Sequence, residues 1–205
     1  MKPKVLPKGM WSKSIHYFYS QKNRQYFWCE SMLERDALLL MEFDSDIVGY
    51  KTQPISIQYK DTLGEIRRYT PDYLFKRKSS EQFVFHEVKM AERVDDALME
   101  KIALINHRLR EAYGSRLEII TNEEVRVGSR IDNLETLYPY KRVLLDMQTV
   151  NQIISALPTD GYYGDLIQCA RTAGVREVVP LAILAHGYLS FNAELPLSVD
   201  TKIVK

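Results

Sequence analysis

The run Phe83-Val84-Phe85-His86-Glu87-Val88-Lys89 constrains this chain more than any other stretch. Its aromatic and β-branched content reads as a strand. Yet it ends on an acid and a lysine. Residues i and i+2 of a strand face the same side, so Glu87 and Lys89 point together. A second strand-like stretch, Tyr73-Leu74-Phe75, precedes it across the polar turn at residues 76–82. That stretch opens on Pro71-Asp72. Pro71 fixes the backbone entering the strand and so orients Asp72. If the two strands are neighbours, Asp72 meets Glu87 and Lys89 across the sheet.

Two carboxylates at one point repel, and each raises the cost of ionising the other unless a cation joins them. Hard oxygen ligands with a carbonyl nearby suit Mg²⁺, with Mn²⁺ a substitute. Asp72, Glu87 and the Val88 backbone carbonyl are the expected ligands, for one ion or two. Lys89 then lies beside the attacking water, placed to orient it and to neutralise charge on a phosphate. The plain alternative is a surface hairpin with a Glu–Lys pair, and an acid-x-lysine spacing alone is weak. The whole pattern of Pro-Asp, an apolar strand, Glu-Val-Lys and a following helix points to a metal-dependent nuclease. Glu34 has two readings. Three residues after Ser31, it closes a capping box. It also projects toward the apolar stripe of its helix, where a carboxylate needs a partner such as a metal or the attacking water.

The surrounding pattern is α/β. Leu33, Ala37, Leu38, Leu40 and Met41 form a helical stripe over Met32 to Phe43. Extended structure follows, with a hairpin turn at Leu63-Gly64, then the two strands above. Val94, Leu98, Ile102, Ile105 and Leu109 predict a helix from about Arg93 to Tyr113, ended by Gly114. Residues 116–121 predict a short buried strand. The order is αβββαβ, a mixed sheet with helices against it. Three short helices at 143–157, 162–173 and 176–187 follow, then a stretch like a small β wing. The expected organisation is an N-terminal arm at 1–28, a catalytic domain at 29–142 and a winged-helix-like module at 143–205.

The 205 residues are 45% apolar and 27% charged, which fits one folded domain plus an appendage. The apolar runs fall far short of a membrane helix. The N-terminus lacks the apolar region of a secretory signal. Two cysteines, Cys29 and Cys169, with no Cys/His cluster, fit a reducing cytoplasm. Net charge is +1, but it is unevenly placed. Residues 1–28 carry six Lys/Arg and no acid, interleaved with aromatics, while the remainder holds 22 basic against 27 acidic residues. The arm therefore reads either as a DNA contact, through Lys4, Lys8 and Lys13, or as a solvated tail whose aromatics dock on the core. Arg67 and Arg68 precede the Asp72 strand, where they either touch phosphates or are simply solvated. His86 alternates to the face opposite Glu87 and reads as a core histidine, and Tyr69 and Tyr73 read as packing residues. Residues 143–205 carry four basic and six acidic groups, a poor match to a polyanion, so that module is expected to contact protein.

Three stretches together carry a resemblance: the helix and strand at 30–59, Arg67-Arg68-Tyr69-Thr70-Pro71-Asp72-Tyr73-Leu74-Phe75, and Phe85-His86-Glu87-Val88-Lys89. Their order, spacing and flanking residues resemble the N-terminal endonuclease domain of the TnsA family, over about residues 9–142. That family supplies the nuclease subunit of heteromeric, Tn-seven-like transposases and belongs to the restriction-endonuclease-like PD-(D/E)xK nucleases. The resemblance implies that Glu34 matches the family's helix glutamate, Asp72 its motif aspartate and Lys89 its lysine. Glu87 falls where members carry Glu or Gln. It further implies a bacterial, cytoplasmic protein that acts at the nucleoid on double-stranded DNA at transposon ends. There it would cut the non-transferred strands beside a DDE-type transposase subunit and an AAA+ regulator ATPase. The rival expectations are a non-catalytic DNA-end adaptor of the same fold and an unrelated restriction or repair nuclease. An adaptor has no need of an intact Asp72, Glu87 and Lys89.

Overall fold

A computed structural model describes residues 15–80 and 82–205. It opens on a hairpin. Strands β1 (His16–Ser20) and β2 (Gln25–Cys29) pair antiparallel with Phe18 opposite Phe27. Alternation buries Phe18 and Ser20 on one strand and Phe27 and Cys29 on the other. Tyr17 and Tyr26 stay exposed. Much of the stretch read as a basic arm is therefore a hairpin laid on the core through its aromatics. Lys4, Lys8 and Lys13 lie outside the described residues.

Helix α1 (Met32–Phe43) starts where Ser31, in an extended conformation, caps it, and it buries Leu33, Ala37, Leu38, Leu39 and Met41. Glu42 is 1% exposed but fully partnered. It accepts hydrogen bonds from the Ser20 hydroxyl at 2.7 Å, the Tyr50 hydroxyl at 2.6 Å and the Lys22 backbone N–H at 2.9 Å. A buried carboxylate satisfied in this way fixes the hairpin against the helix rather than straining it.

Strands β3 (Ile47–Thr52), β4 (Ile57–Lys60), β5 (Ile66–Tyr69), β6 (Tyr73–Arg77) and β7 (Phe83–Lys89) follow. A 3-10 turn, Ala91–Arg93, leads into α2 (Asp96–Tyr113). The helix begins three residues later than its apolar spacing suggests, because the Asp95 side chain caps it by accepting from the Leu98 N–H at 2.8 Å. Gly114 ends it at φ 58°, a left-handed conformation that suits glycine. Strand β8 (Arg116–Thr121) completes a four-stranded sheet in the order β3-β6-β7-β8. The first two pairings are antiparallel and β7–β8 is parallel. Among the described residues, strands β4 and β5 pair only with each other, as a ribbon packed on α2.

The sheet separates two cores. On one face Tyr73, Phe75, Val84 and Val88 pack with α1 and the first hairpin. On the other Phe85 and Leu117 pack with Ile57 of the ribbon and Ile102, Ile105 and Leu109 of α2. The order α1-β3-β6-β7-α2-β8 is the expected αβββαβ core with its mixed sheet, a restriction-endonuclease-like arrangement.

Short helices α3 (Asn122–Val125) and α4 (Arg130–Leu137) and a 3-10 turn, Tyr138–Arg142, lead to α5 (Met147–Ala156), α6 (Tyr163–Thr172) and α7 (Val179–Ala185). Two-residue strands β9 (Ser190–Phe191) and β10 (Ile203–Val204) pair antiparallel. These helices share a third core, which also takes in Leu137 of α4 and Phe43 of α1. Buried Asn133 clamps the chain at 193–197. Its side-chain amide donates to the carbonyls of Ala193 and Leu195, each at 2.7 Å, and its oxygen accepts from Leu197 N–H at 3.1 Å. No helix among the described residues is long and apolar enough to cross a membrane.

Candidate active site

Strand register assembles the acidic pair. Tyr73 stands opposite His86 and Leu74 opposite Phe85. Continued by one residue, that register sets Asp72 opposite Glu87. Alternation then puts Glu87 and Lys89 on the α2 side of the sheet with Phe85. The approach to Asp72 is held from its flank. Gln53 takes φ 44°, a left-handed conformation costly for a residue with a side chain, and its N–H donates to the Asp72 carbonyl at 2.8 Å. The Asp72 carboxylate accepts from the Val88 N–H at 2.8 Å, which ties it to the strand that carries Glu87 and Lys89.

Glu87 is 5% exposed. One of its oxygens, Oε1, contacts Lys89 Nζ. The other, Oε2, is buried without a hydrogen-bond partner. Burial, then the charge of Glu87, and more weakly that of Glu34, push the Asp72 carboxyl well above the ordinary carboxylate range. The Val88 N–H and Lys89 oppose this rise without cancelling it. Concentrated negative charge with an orphaned oxygen is what a divalent cation would relieve.

Among the described residues no three His, Cys, Asp or Glu side chains converge as a metal-holding group. Mg²⁺ does not require one. It dehydrates reluctantly and is commonly held by one or two carboxylates together with substrate phosphates. Asp72 and Glu87 fit that donor set.

Glu34 is engaged locally. Its N–H donates to the Ser31 hydroxyl oxygen at 3.2 Å, and its carboxylate accepts from the Ser31 hydroxyl at 2.8 Å and the Glu30 N–H at 2.9 Å. Ser31 thus caps the helix, but the Glu34 carboxylate takes the Glu30 N–H rather than the Ser31 N–H that closes a capping box, and the Tyr73 hydroxyl donates to the Glu34 carbonyl at 2.9 Å on the α1 face of the sheet. Arg67 pairs with Asp61 at 2.8 Å on the ribbon surface, while Arg68 is exposed beside it. His86 pairs with Glu118 at 3.1 Å across the β7–β8 ladder and packs edge-on against Phe75. Its second ring nitrogen, Nδ1, is buried without a partner, so this core histidine is only half satisfied.

One group read as packing has a polar tip in the site. The Tyr69 hydroxyl is buried and has no hydrogen-bond partner. Burial and the facing Glu87 carboxylate push its phenol far above its usual value. Strand alternation reveals which residues share a face but not where a phenol ends.

Residues 44–122 match the family model for the TnsA-like endonuclease N terminal domain. Over these residues the chain is similar to that domain. The match spans β3 through β8 and contains Asp72, Glu87 and Lys89. It leaves α1 with Glu34, and the helices beyond β8, outside. A comparison with curated proteins finds no match.

Proposed function

We propose that the chain is the Mg²⁺-dependent DNA endonuclease subunit of a Tn-seven-like transposase. It hydrolyses the non-transferred strands at the 5′ ends of the element, while a DDE-type subunit cuts and joins the 3′ ends under an AAA+ regulator ATPase. The observation that carries this reading is the Asp72–Glu87 pair. Two carboxylates are forced together on adjacent strands of a TnsA-like domain, one with a buried, unpartnered oxygen and a lysine at hand.

Asp72, Glu87 and the Val88 carbonyl would hold the ion, with Glu34 a further ligand or the cap of α1 alone. The ion supplies charge neutralisation and a nucleophile potent at neutral pH. Lys89, whose side chain is one-third exposed, reaches from the site toward solvent. It can orient the attacking water and stabilise charge on the scissile phosphate. Water attacks phosphorus in line, the bond to the 3′-oxygen breaks, and that oxygen leaves with a proton. The products are a 5′-phosphate and a 3′-hydroxyl.

Residues 143–205 are read as a protein-contacting module. Their charge balance is unfavourable for a polyanion, and α7 buries most of its surface in its own core instead of offering a groove-reading face.

The test is strand-specific cleavage of end-labelled transposon-end duplexes by the chain with its DDE-type partner. The reading predicts 5′-end cleavage that needs Mg²⁺ and stops with chelator. Cleavage that persists in chelator, or is confined to the 3′ ends, would overturn it.

A further inference from the structure

The Tyr69 hydroxyl and the second oxygen of Glu87 are both buried, both polar and both without a hydrogen-bond partner. One is a donor and the other an acceptor, and Glu87 acts on the phenol directly. A buried hydroxyl left unpaired is destabilising, and phenylalanine would fill the same space without that cost. The ring itself is fixed. It packs with Ile57, Phe85 and α2, and Lys101 Nζ lies 4.5 Å above it. The hydroxyl is therefore held in one place by packing that does not depend on it.

We propose that Tyr69 is a positioning residue for Glu87: its O–H donates to Oε2, directly or through one water, as Lys89 does to Oε1. This rests on the nuclease reading above. Each carboxylate oxygen has two lone pairs, so both can accept a hydrogen bond and still face a cation. A carboxylate held at both oxygens cannot rotate away from its ligand. Hydrogen-bonded supports of this kind commonly change metal affinity by roughly 10- to 100-fold when removed.

The experiment titrates Mn²⁺ into the full chain and reads free Mn²⁺ by its paramagnetic resonance, for wild type, Tyr69→Phe and Asp72→Ala. Thermal midpoints of the metal-free proteins are measured beside it. The expected result is Mn²⁺ affinity roughly 10- to 100-fold weaker in Tyr69→Phe, with the metal-free variant still folded at the titration temperature. A tyrosine that only packs would leave the affinity unchanged. If Asp72→Ala loses Mn²⁺ and Tyr69→Phe binds like wild type, the role of Tyr69 is overturned and the site stands. A metal-free midpoint that falls enough to account for the weakened binding overturns it too. If Asp72→Ala binds Mn²⁺ like wild type, the site reading falls, and the Tyr69 proposal with it.

Discussion

Asp72, one residue before the Tyr73–His86 pair that opens the β6–β7 register, accepts the N–H of Val88, the residue next to Glu87, with its carboxylate. The pairing of Asp72 with Glu87 is unfavourable without a cation. That gives it a signature in stability as well as in catalysis.

Burial, and then Glu87, raise the folded-state pKa of Asp72. A carboxyl shifted upward contributes stability that is fully present below its unfolded value, about 3.9, and is lost as pH rises through the raised folded value. Metal-free protein is therefore expected to lose stability between mildly acidic and neutral pH. Asp72→Asn removes this loss and keeps an acceptor for the Val88 N–H. Its thermal midpoint at pH 8 in chelator should exceed that of wild type, by about 2–4 °C for each kcal/mol relieved. Mg²⁺ should raise the wild-type midpoint and leave that of Asp72→Asn unmoved. A less stable Asp72→Asn at pH 8 would count against the acidic pair.

Ser31 and Glu34 separate capping from chemistry. Ser31→Ala removes the cap hydroxyl and should cost about 1 kcal/mol of stability, read by chemical denaturation, with nicking retained. Glu34→Ala should lose similar stability and also nicking, if Glu34 serves the ion. Full nicking by Glu34→Ala, at a temperature where it is folded, would reduce Glu34 to a cap.

The two arginines of the ribbon should differ in DNA binding. Arg67 is already neutralised by Asp61, whereas Arg68 is exposed. Arg68→Ala should flatten the log–log salt dependence of DNA binding by about 0.9 for one lost phosphate contact, and Arg67→Ala should change it little. Equal slopes for wild type and Arg68→Ala would mean that the ribbon faces away from DNA.

The C-terminal helices should not detach freely. Asn133→Ala leaves the Ala193 and Leu195 carbonyls without their donor, a change of about 1–3 kcal/mol where such groups stay buried. Gly128→Ala should be worse. Gly128 sits at φ 51°, and an added Cβ would lie 2.2 Å from the Glu194 carbonyl oxygen. Truncation after Arg142 should lower the thermal midpoint, because it uncovers Leu137 and Phe43. A truncated chain that melts like the full one would show that this packing contributes little.

Sequence pattern reveals what local chemistry dictates. Ser31 and the apolar stripe define α1, Gly114 ends α2, and Pro71-Asp72 with Glu87-Val88-Lys89 marks the candidate site. What stayed hidden depends on partners distant in the chain. The hairpin that buries Phe18 and Ser20 against Phe27 and Cys29 lies within the stretch whose charge reads as a basic arm, and only its packing on the core distinguishes the two. A left-handed turn at Gln53, which nothing in Thr-Gln-Pro requires, lies between β3 of the main sheet and the separate β4–β5 ribbon. The hydroxyl of Tyr69 belongs to the same class, since only tertiary packing aims it at Glu87.

The central claim is that Asp72, Glu87 and Lys89 form a metal-dependent phosphodiesterase centre. The most direct test is Mg²⁺-dependent nicking of the 5′ strand at transposon ends by Asp72→Ala and by Lys89→Ala, each reconstituted with the transposase partner and checked for retained fold and DNA association. Each group acts on charge that develops in the transition state, so each loss should cost several kcal/mol, about 100-fold or more in rate. Nicking lost in both variants, with assembly intact, is the predicted result. Wild-type nicking by Asp72→Ala would contradict the account.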